Sequence, residues 1–160
     1  MDSVPPAITY PPSDVAITEV VASLPTPPNV RFHSKTQIWS LDFSPDGSLL
    51  ASGSADTHGE DMNTIKLWDL TTGESFLTLS GHNSWVYSVS FSPKDEILMS
   101  GSPDETLKLW NLTDGKIIKN ITDNLNGIWG DSVVFSPDGT VLTSGDENGI
   151  IWLWNVAIGS

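Results

Sequence analysis

Cysteine is absent from this 160-residue sequence, which excludes a disulfide framework, a thiolate metal site and a thiol nucleophile. Basic residues are scarce: 7 Lys and Arg stand against 20 Asp and Glu, for a net charge of −13. Affinity for nucleic acid comes from cationic side chains neutralising phosphates, so neither duplex nor single strand is expected as the main partner. An anionic membrane surface is disfavoured for the same reason. Long apolar runs are missing as well, and no stretch approaches the length of a membrane span. The N-terminus has neither the basic region nor the continuous apolar core of a secretory signal. These absences predict a cytoplasmic protein in a reducing compartment.

Proline is concentrated at one end. Pro5, Pro6, Pro11, Pro12, Pro25, Pro27 and Pro28 punctuate residues 1–29, favouring extended backbone and removing donors, so a disordered tail is expected there. Within it Ile17, Val20, Val21 and Leu24 fall at helical spacing before Pro25, which would suit a short docking segment. Residues 30–160 are long enough for one domain with a sizeable core.

That second part repeats. Phe43-Ser44-Pro45, Phe91-Ser92-Pro93 and Phe135-Ser136-Pro137 are each followed by a Ser-Gly pair, at Ser52-Gly53, Ser100-Gly101 and Ser144-Gly145. A Leu-Trp pair then closes each copy at Trp68, Trp110 or Trp154, and the marks recur at spacings between 42 and 48 residues. With Gly81-His82 and Trp68-Asp69 beside them, this period of about 40 to 45 residues is the signature of a four-stranded propeller blade. The chain resembles the WD-repeat (beta-transducin repeat) propeller family from about residue 33 to residue 157.

The fold expected is therefore all-β: three four-stranded antiparallel blades at about 37–79, 82–121 and 127–158. In each, the Ser-Pro turn joins an inner strand to a second strand. In two copies it is completed by Asp46-Gly47 or Asp138-Gly139, with glycine taking the positive φ. The middle turn, Pro93-Lys94-Asp95-Glu96, lacks glycine, and Lys94 or Asp95 is expected to take the strained conformation. Ile38, Trp39, Leu41 and Phe43 are apolar on both faces of the first inner strand, which suits burial between neighbouring sheets. The third copy stops at Ile158-Gly159-Ser160 before a fourth strand, while Val30-Arg31-Phe32-His33 stands ahead of the first inner strand. An outer strand supplied from the N-terminal end fits that arrangement. Three blades are fewer than the usual range of about four to eight, so a ring completed by self-association, or a fragment of a longer chain, is expected.

In the family resembled, a histidine before the inner strand, a Ser or Thr on the second strand, an aspartate in the next turn and a tryptophan on the third strand form one hydrogen-bonded group. The resemblance places it on His82, Ser100, Asp104 and Trp110 in the middle copy and on His33, Ser52, Asp56 and Trp68 in the first. In the third, Ser144 and Trp154 remain, but Asn148 replaces the aspartate and Asn126 the histidine. Ser, His and Asp together also invite a hydrolase reading. Against it, no Gly-x-Ser-x-Gly elbow occurs, and the residues recur at a structural period that a single active site would not need.

Metal binding has one candidate in the insertion that holds His58, Glu60 and Asp61, whose spacing matches no known motif and reads as a solvated acidic loop. Asp146-Glu147-Asn148-Gly149 resembles an acidic calcium loop but lacks a distal glutamate and reads as a turn. No cofactor is expected. The sites expected to receive a partner lie at the start of the inner strands. Trp39 and Tyr87 are equivalent by counting, with Asp131 in the third copy, and Trp85 corresponds to Trp129. The resemblance places these positions around the central channel, and aromatics with a polar rim are typical binding hot spots.

The function implied is a protein-binding scaffold without catalysis, whose partners are other proteins or peptides and possible further copies of itself. Two other readings stay open at this point. One is the regulatory or sensor segment of a larger NTPase or kinase; the other is a propeller hydrolase acting through channel-facing carboxylates.

Overall fold

In a computed structural model of the chain, the residues described are 34, 36–55, 62–122, 132–146 and 148–156. All of them lie in the second of two compact units, Phe32–Ser160. The proline-rich segment, residues 30–33, the metal-candidate residues His58, Glu60 and Asp61, and residues 157–160 fall outside the described residues.

Every described element is a strand. The first sheet contains β1 (Gln37–Phe43), β2 (Leu49–Ala55), β3 (Thr64–Asp69) and β4 (Ser75–Ser80), hydrogen-bonded in sequence order. The second contains β5 (Ser88–Phe91), β6 (Ile97–Ser102), β7 (Thr106–Asn111) and β8 (Ile117–Ile121), again in order. The third contains β9 (Val133–Phe135), β10 (Val141–Gly145) and β11 (Ile151–Asn155), with three strands among the described residues. All pairings are antiparallel meanders. These are three propeller blades.

The turns show why these strands form where they do. Ser44 Oγ donates to Asp46 Oδ1 at 2.6 Å and accepts from the Leu49 N–H at 2.9 Å, while Gly47 takes φ +70°. Ser136, Asp138 and Gly139 repeat this in the third blade. The middle turn departs from expectation, because neither Lys94 nor Asp95 has a positive φ. There the buried Ser92 hydroxyl accepts from both the Lys94 and Asp95 N–H groups, and Ile97 N–H bonds back to Asp95 O at 2.7 Å. Two contacts to one side chain hold the turn without a left-handed residue. The positive-φ non-glycine residues described are Asn63 and Glu105, both in turns between second and third strands.

Blades stack face to face, and each junction is a separate core. Ala51, Ile65, Leu67 and Leu79 of the first blade meet Val86, Val89, Phe91, Leu98 and Trp110 of the second. On the second blade's other side, Ile97, Met99, Leu107 and Leu109 meet Val133, Phe135 and Leu142. Each fully buried aliphatic side chain of this kind stabilises the fold by about 1.5 to 3 kcal/mol.

Polar groups stitch the same junctions. Ser40 Oγ accepts the Val89 N–H at 3.1 Å, and Asp42 Oδ2 accepts the Phe91 N–H at 2.7 Å. Ser88 and Ser90 treat Val133 and Phe135 in the same way. Backbone also crosses between blades, from Val86 N to Ser54 O at 3.0 Å. That close approach needs Gly53, where an added Cβ would lie 2.8 Å from Val86 O and 2.9 Å from Val86 Cγ1.

The expectation of burial on both faces of the first inner strand fails for β1, whereas β5 is buried on both. All four residues of β5 are buried, whereas Leu41 and Phe43 are 59% and 61% exposed. The physical reason is that the second blade covers only the Ser40 and Asp42 side of β1.

Candidate functional site

The middle blade builds its polar group from three neighbouring segments. His82 lies between β4 and β5, Ser100 on β6, Asp104 in the β6–β7 turn and Trp110 on β7. His82 Nδ1 is 2.9 Å from Asp104 Oδ2, and His82 Nε2 is 2.7 Å from Ser100 Oγ. Trp110 Nε1 donates to that same oxygen at 2.8 Å. An ionised carboxylate only accepts, so Nδ1 carries the proton and Nε2 accepts from the Ser100 hydroxyl. The Ser100 oxygen then has its lone pairs free for the indole N–H. Asp104 also accepts from the backbone N–H groups of Asn83 and Thr106 and from the Thr106 hydroxyl.

Charges follow from this geometry. Burial holds the His82 pKa below its ordinary value, outweighing the pull of Asp104 in the opposite direction. Partial burial works against the Asp104 carboxylate, but hydrogen bonds from His82 and Thr106 outweigh it and keep the pKa well below the usual carboxylate range. Ser100 is fully buried, with its hydroxyl engaged by both His82 and Trp110. A substrate has no route to it. The arrangement locks a turn onto two strands.

Both pKa values are lower folded than unfolded, so the unfolded chain binds more protons and stability rises with pH. The contribution of His82 is complete above about pH 6.5 and is lost as pH falls through its folded value. Asp104 adds a second loss in the acidic carboxylate range. His82→Ala is therefore expected to cost about 1 to 3 kcal/mol at pH 8, by stranding Ser100 and Asp104, and to flatten the stability profile between pH 7 and 5. Urea unfolding across that range checks both; an unchanged profile would show that His82 is not held as the neutral imidazole.

In the first blade Trp68 Nε1 donates to Ser52 Oγ at 2.8 Å, while His33 and Asp56 lie outside the described residues. In the third, Trp154 Nε1 donates to Ser144 Oγ at 3.0 Å, and Asn126 lies outside the described residues. Asp146 organises the third turn instead. It accepts from the N–H groups of Asn148 and Ile150 and from Trp152 Nε1. Trp152 stacks on Trp154 with ring centres 5.9 Å apart. Sequence reasoning passed over Trp152, although it stands where the other copies carry Lys66 and Lys108.

Of the candidate partner-binding residues, Trp39, Trp85 and Tyr87 come together; Trp129 and Asp131 lie outside the described residues. Ring centres are 5.0 Å apart for Trp39–Tyr87, 6.0 Å for Trp85–Tyr87 and 6.2 Å for the near-parallel Trp39–Trp85 pair. A register slip in the β1–β2 ladder between Ile38 and Ser40 leaves Trp39 without a strand partner and re-aims its side chain. Trp39 is 54% exposed, while Trp85 and Tyr87 are half-buried beneath it. An aromatic surface of this kind binds by burying apolar area around a polar edge. Among the described residues, no group of three His, Cys, Asp or Glu is placed to hold a metal ion. No helix among the described residues is long and apolar enough to cross a membrane.

Comparison with known proteins agrees with this architecture. The family model described as WD domain, G-beta repeat, matches residues 27–58, 73–111 and 115–155. The chain is similar to the nuclear distribution protein nudF 2 of Aspergillus clavatus, 41% identical over 80 residues, covering 49% of this chain and 17% of that protein. It is 31% identical over 109 residues to protein tipD of Dictyostelium discoideum, covering 68% and 17% respectively. Nuclear distribution protein PAC1 of Tuber melanosporum is 35% identical over 114 residues, covering 71% and 21%. The chain thus spans about a fifth or less of the length of these relatives. With the repeat model covering more than half of the sequence and three blades in the structure, the chain belongs to the WD-domain, G-beta repeat family.

Proposed function

We propose that this chain is a protein-binding scaffold whose partner, a protein or peptide, docks on Trp39, Trp85 and Tyr87. The observation that carries this reading is the convergence of three aromatic rings from two blades at one point, with the outermost half-exposed. Rigid aromatic side chains lose little conformational entropy on binding and dominate interface energetics. Trp129 and Asp131, at the equivalent positions of the third copy, would extend the same surface. The hydrogen-bonded groups of the blades serve as scaffold, so binding proceeds without chemistry. The acidic balance of the sequence turns the surface away from nucleic acid and anionic membranes, and the lack of cysteine suits the cytoplasm.

Selection of a displayed peptide library against the intact chain tests this. Peptides recovered on the wild type should bind Trp39→Ala at least about 30-fold more weakly, the expected loss at a hot spot of 2 kcal/mol. Thermal stability should be nearly unchanged, because Trp39 covers little of either core. Peptides that bind the variant equally well would place the docking surface elsewhere.

A further inference from the structure

We propose that the cleft between the first and second blades is a second docking site, for a basic segment of a partner protein that presents an aromatic or long aliphatic side chain between lysines or arginines. Trp39 stands near the start of β1, and this cleft lies beyond the other end of the strand, where the Ser-Pro turns leave the inner strands. It is therefore separate from the aromatic cluster. Its volume is about 440 Å³, within the roughly 300 to 1,000 Å³ of sites that enclose a small molecule, and one large side chain with its neighbours fits such a space.

The floor is apolar and the rim is acidic. Leu49, Leu67, Phe91 and Leu112 line the floor, and because Leu67 and Phe91 belong to the core between the two blades, that part is rigid and already formed. Phe76 also lines the cleft but is 56% exposed, which leaves an aromatic face open to solvent. Around it the exposed side chains of Asp46, Asp95 and Glu96 set three carboxylates against one ammonium, Lys94. Two of the three are fixed in place. Asp46 accepts from the Ser44 and Ser48 hydroxyls at 2.6 and 2.9 Å and from the Ser48 N–H at 3.0 Å, bonds that hold its pKa down to about 2. Glu96 Oε2 accepts from the Thr113 hydroxyl at 2.7 Å. Lys94 also lines the neighbouring cleft with Asp138, so its charge is shared with that carboxylate.

The junction between the second and third blades lacks this combination. There Gly139 and Pro93 take the places of Asp95 and Pro45, and a Cβ built on Gly139 would stand 3.3 Å from Pro93 Cγ, so the two turns approach closely. At the first junction Asp95 fills the glycine's place in a turn that forms without a positive φ, and both turns border open space. The apolar lining of the second junction's cleft shrinks to Ile97 and Val156. Charge then selects the occupant. A negative rim attracts cationic partners and repels anionic ones, which makes a second copy, at a net charge of −13, a poor match. Residues 1–29 contain no Lys or Arg, so the chain's own proline-rich segment matches no better. A basic segment of another protein meets both halves of the site, its cations on Asp46, Asp95 and Glu96 and its anchor over Phe76 and the floor.

An array of peptides in which lysine or arginine flanks a central tryptophan, phenylalanine, leucine or methionine, probed with the full 160-residue chain, tests this. These peptides should be retained at least about tenfold more strongly than controls with glycine at the centre or with acidic flanks, and less strongly as salt rises. The best of them, carried into fluorescence anisotropy, should bind Phe76→Ala and Asp95→Lys at least about tenfold more weakly. Circular dichroism of both variants should be unchanged, because both side chains are exposed. Trp39→Ala should bind that peptide as the wild type does. Equal retention of the control peptides, or affinity insensitive to either cleft substitution, would overturn the proposal. A loss on Trp39→Ala would overturn it as well, by assigning the peptide to the aromatic cluster.

Discussion

Trp110→Ala is expected to lower the unfolding free energy by about 3 to 5 kcal/mol, a large share of the roughly 5 to 15 kcal/mol available to a domain. Two effects add. The indole is 1% exposed and sits in the core between the first and second blades, so its removal leaves a cavity bounded by Val89, Phe91 and Leu98. Its N–H also supplies one hydrogen bond to Ser100, and its ring meets His82 edge-on at 6.1 Å. Trp110→Phe separates the contributions, because it keeps most of the apolar volume and loses the donor; about 1 to 2 kcal/mol is expected. Urea unfolding at one fixed protein concentration, which holds any self-association constant, is the measurement. A loss below about 1 kcal/mol for the alanine variant would mean that this junction is not a rigidly packed core.

Gly53→Ala should cost about 1 to 3 kcal/mol, while the equivalent Gly145→Ala should change stability by less than about 0.5 kcal/mol. Chemistry is identical at the two positions and surroundings are not. The new methyl at 53 would collide with the Val86 carbonyl at 2.8 Å, and backbone cannot swing aside as a flexible side chain can. Relief requires the first two blades to part, which weakens the Val86 N–H bond to Ser54 O and the apolar core behind it. At 145 the methyl enters open space. Thermal unfolding of both variants at one fixed, low protein concentration checks the contrast. Equal losses would show that glycine serves local strand geometry, and the close approach of blades would cease to explain it.

Much of the fold could be read locally. Three Phe-Ser-Pro turns, three Ser-Gly pairs and three Leu-Trp pairs stand at the ends of or within the observed strands, because turn chemistry and alternation act over a few residues. His82, Ser100, Asp104 and Trp110 were legible through the family resemblance, and the structure brings these four side chains together. Lys94 and Asp95 were misjudged because the decisive acceptor, the Ser92 hydroxyl, satisfies the turn without a left-handed residue. Trp39 could be matched to Tyr87 by counting, but not the ladder slip that turns it outward.

Sequence alone determined that this protein is a row of WD-repeat blades with a polar lock in its middle copy, since each of those features is written within one repeat period. Tertiary structure decided which apolar residues become core and which remain open. Leu109 and Leu153 are the same residue type at the same repeat position, but Leu109 is buried against the third blade while Leu153 is 70% exposed among the described residues. The roles of Ser40, Asp42, Ser88 and Ser90 belong to the same level. Their partners lie 45 or 49 residues away, and a contact across that distance depends on how whole sheets stack, which no local pattern of side chains encodes.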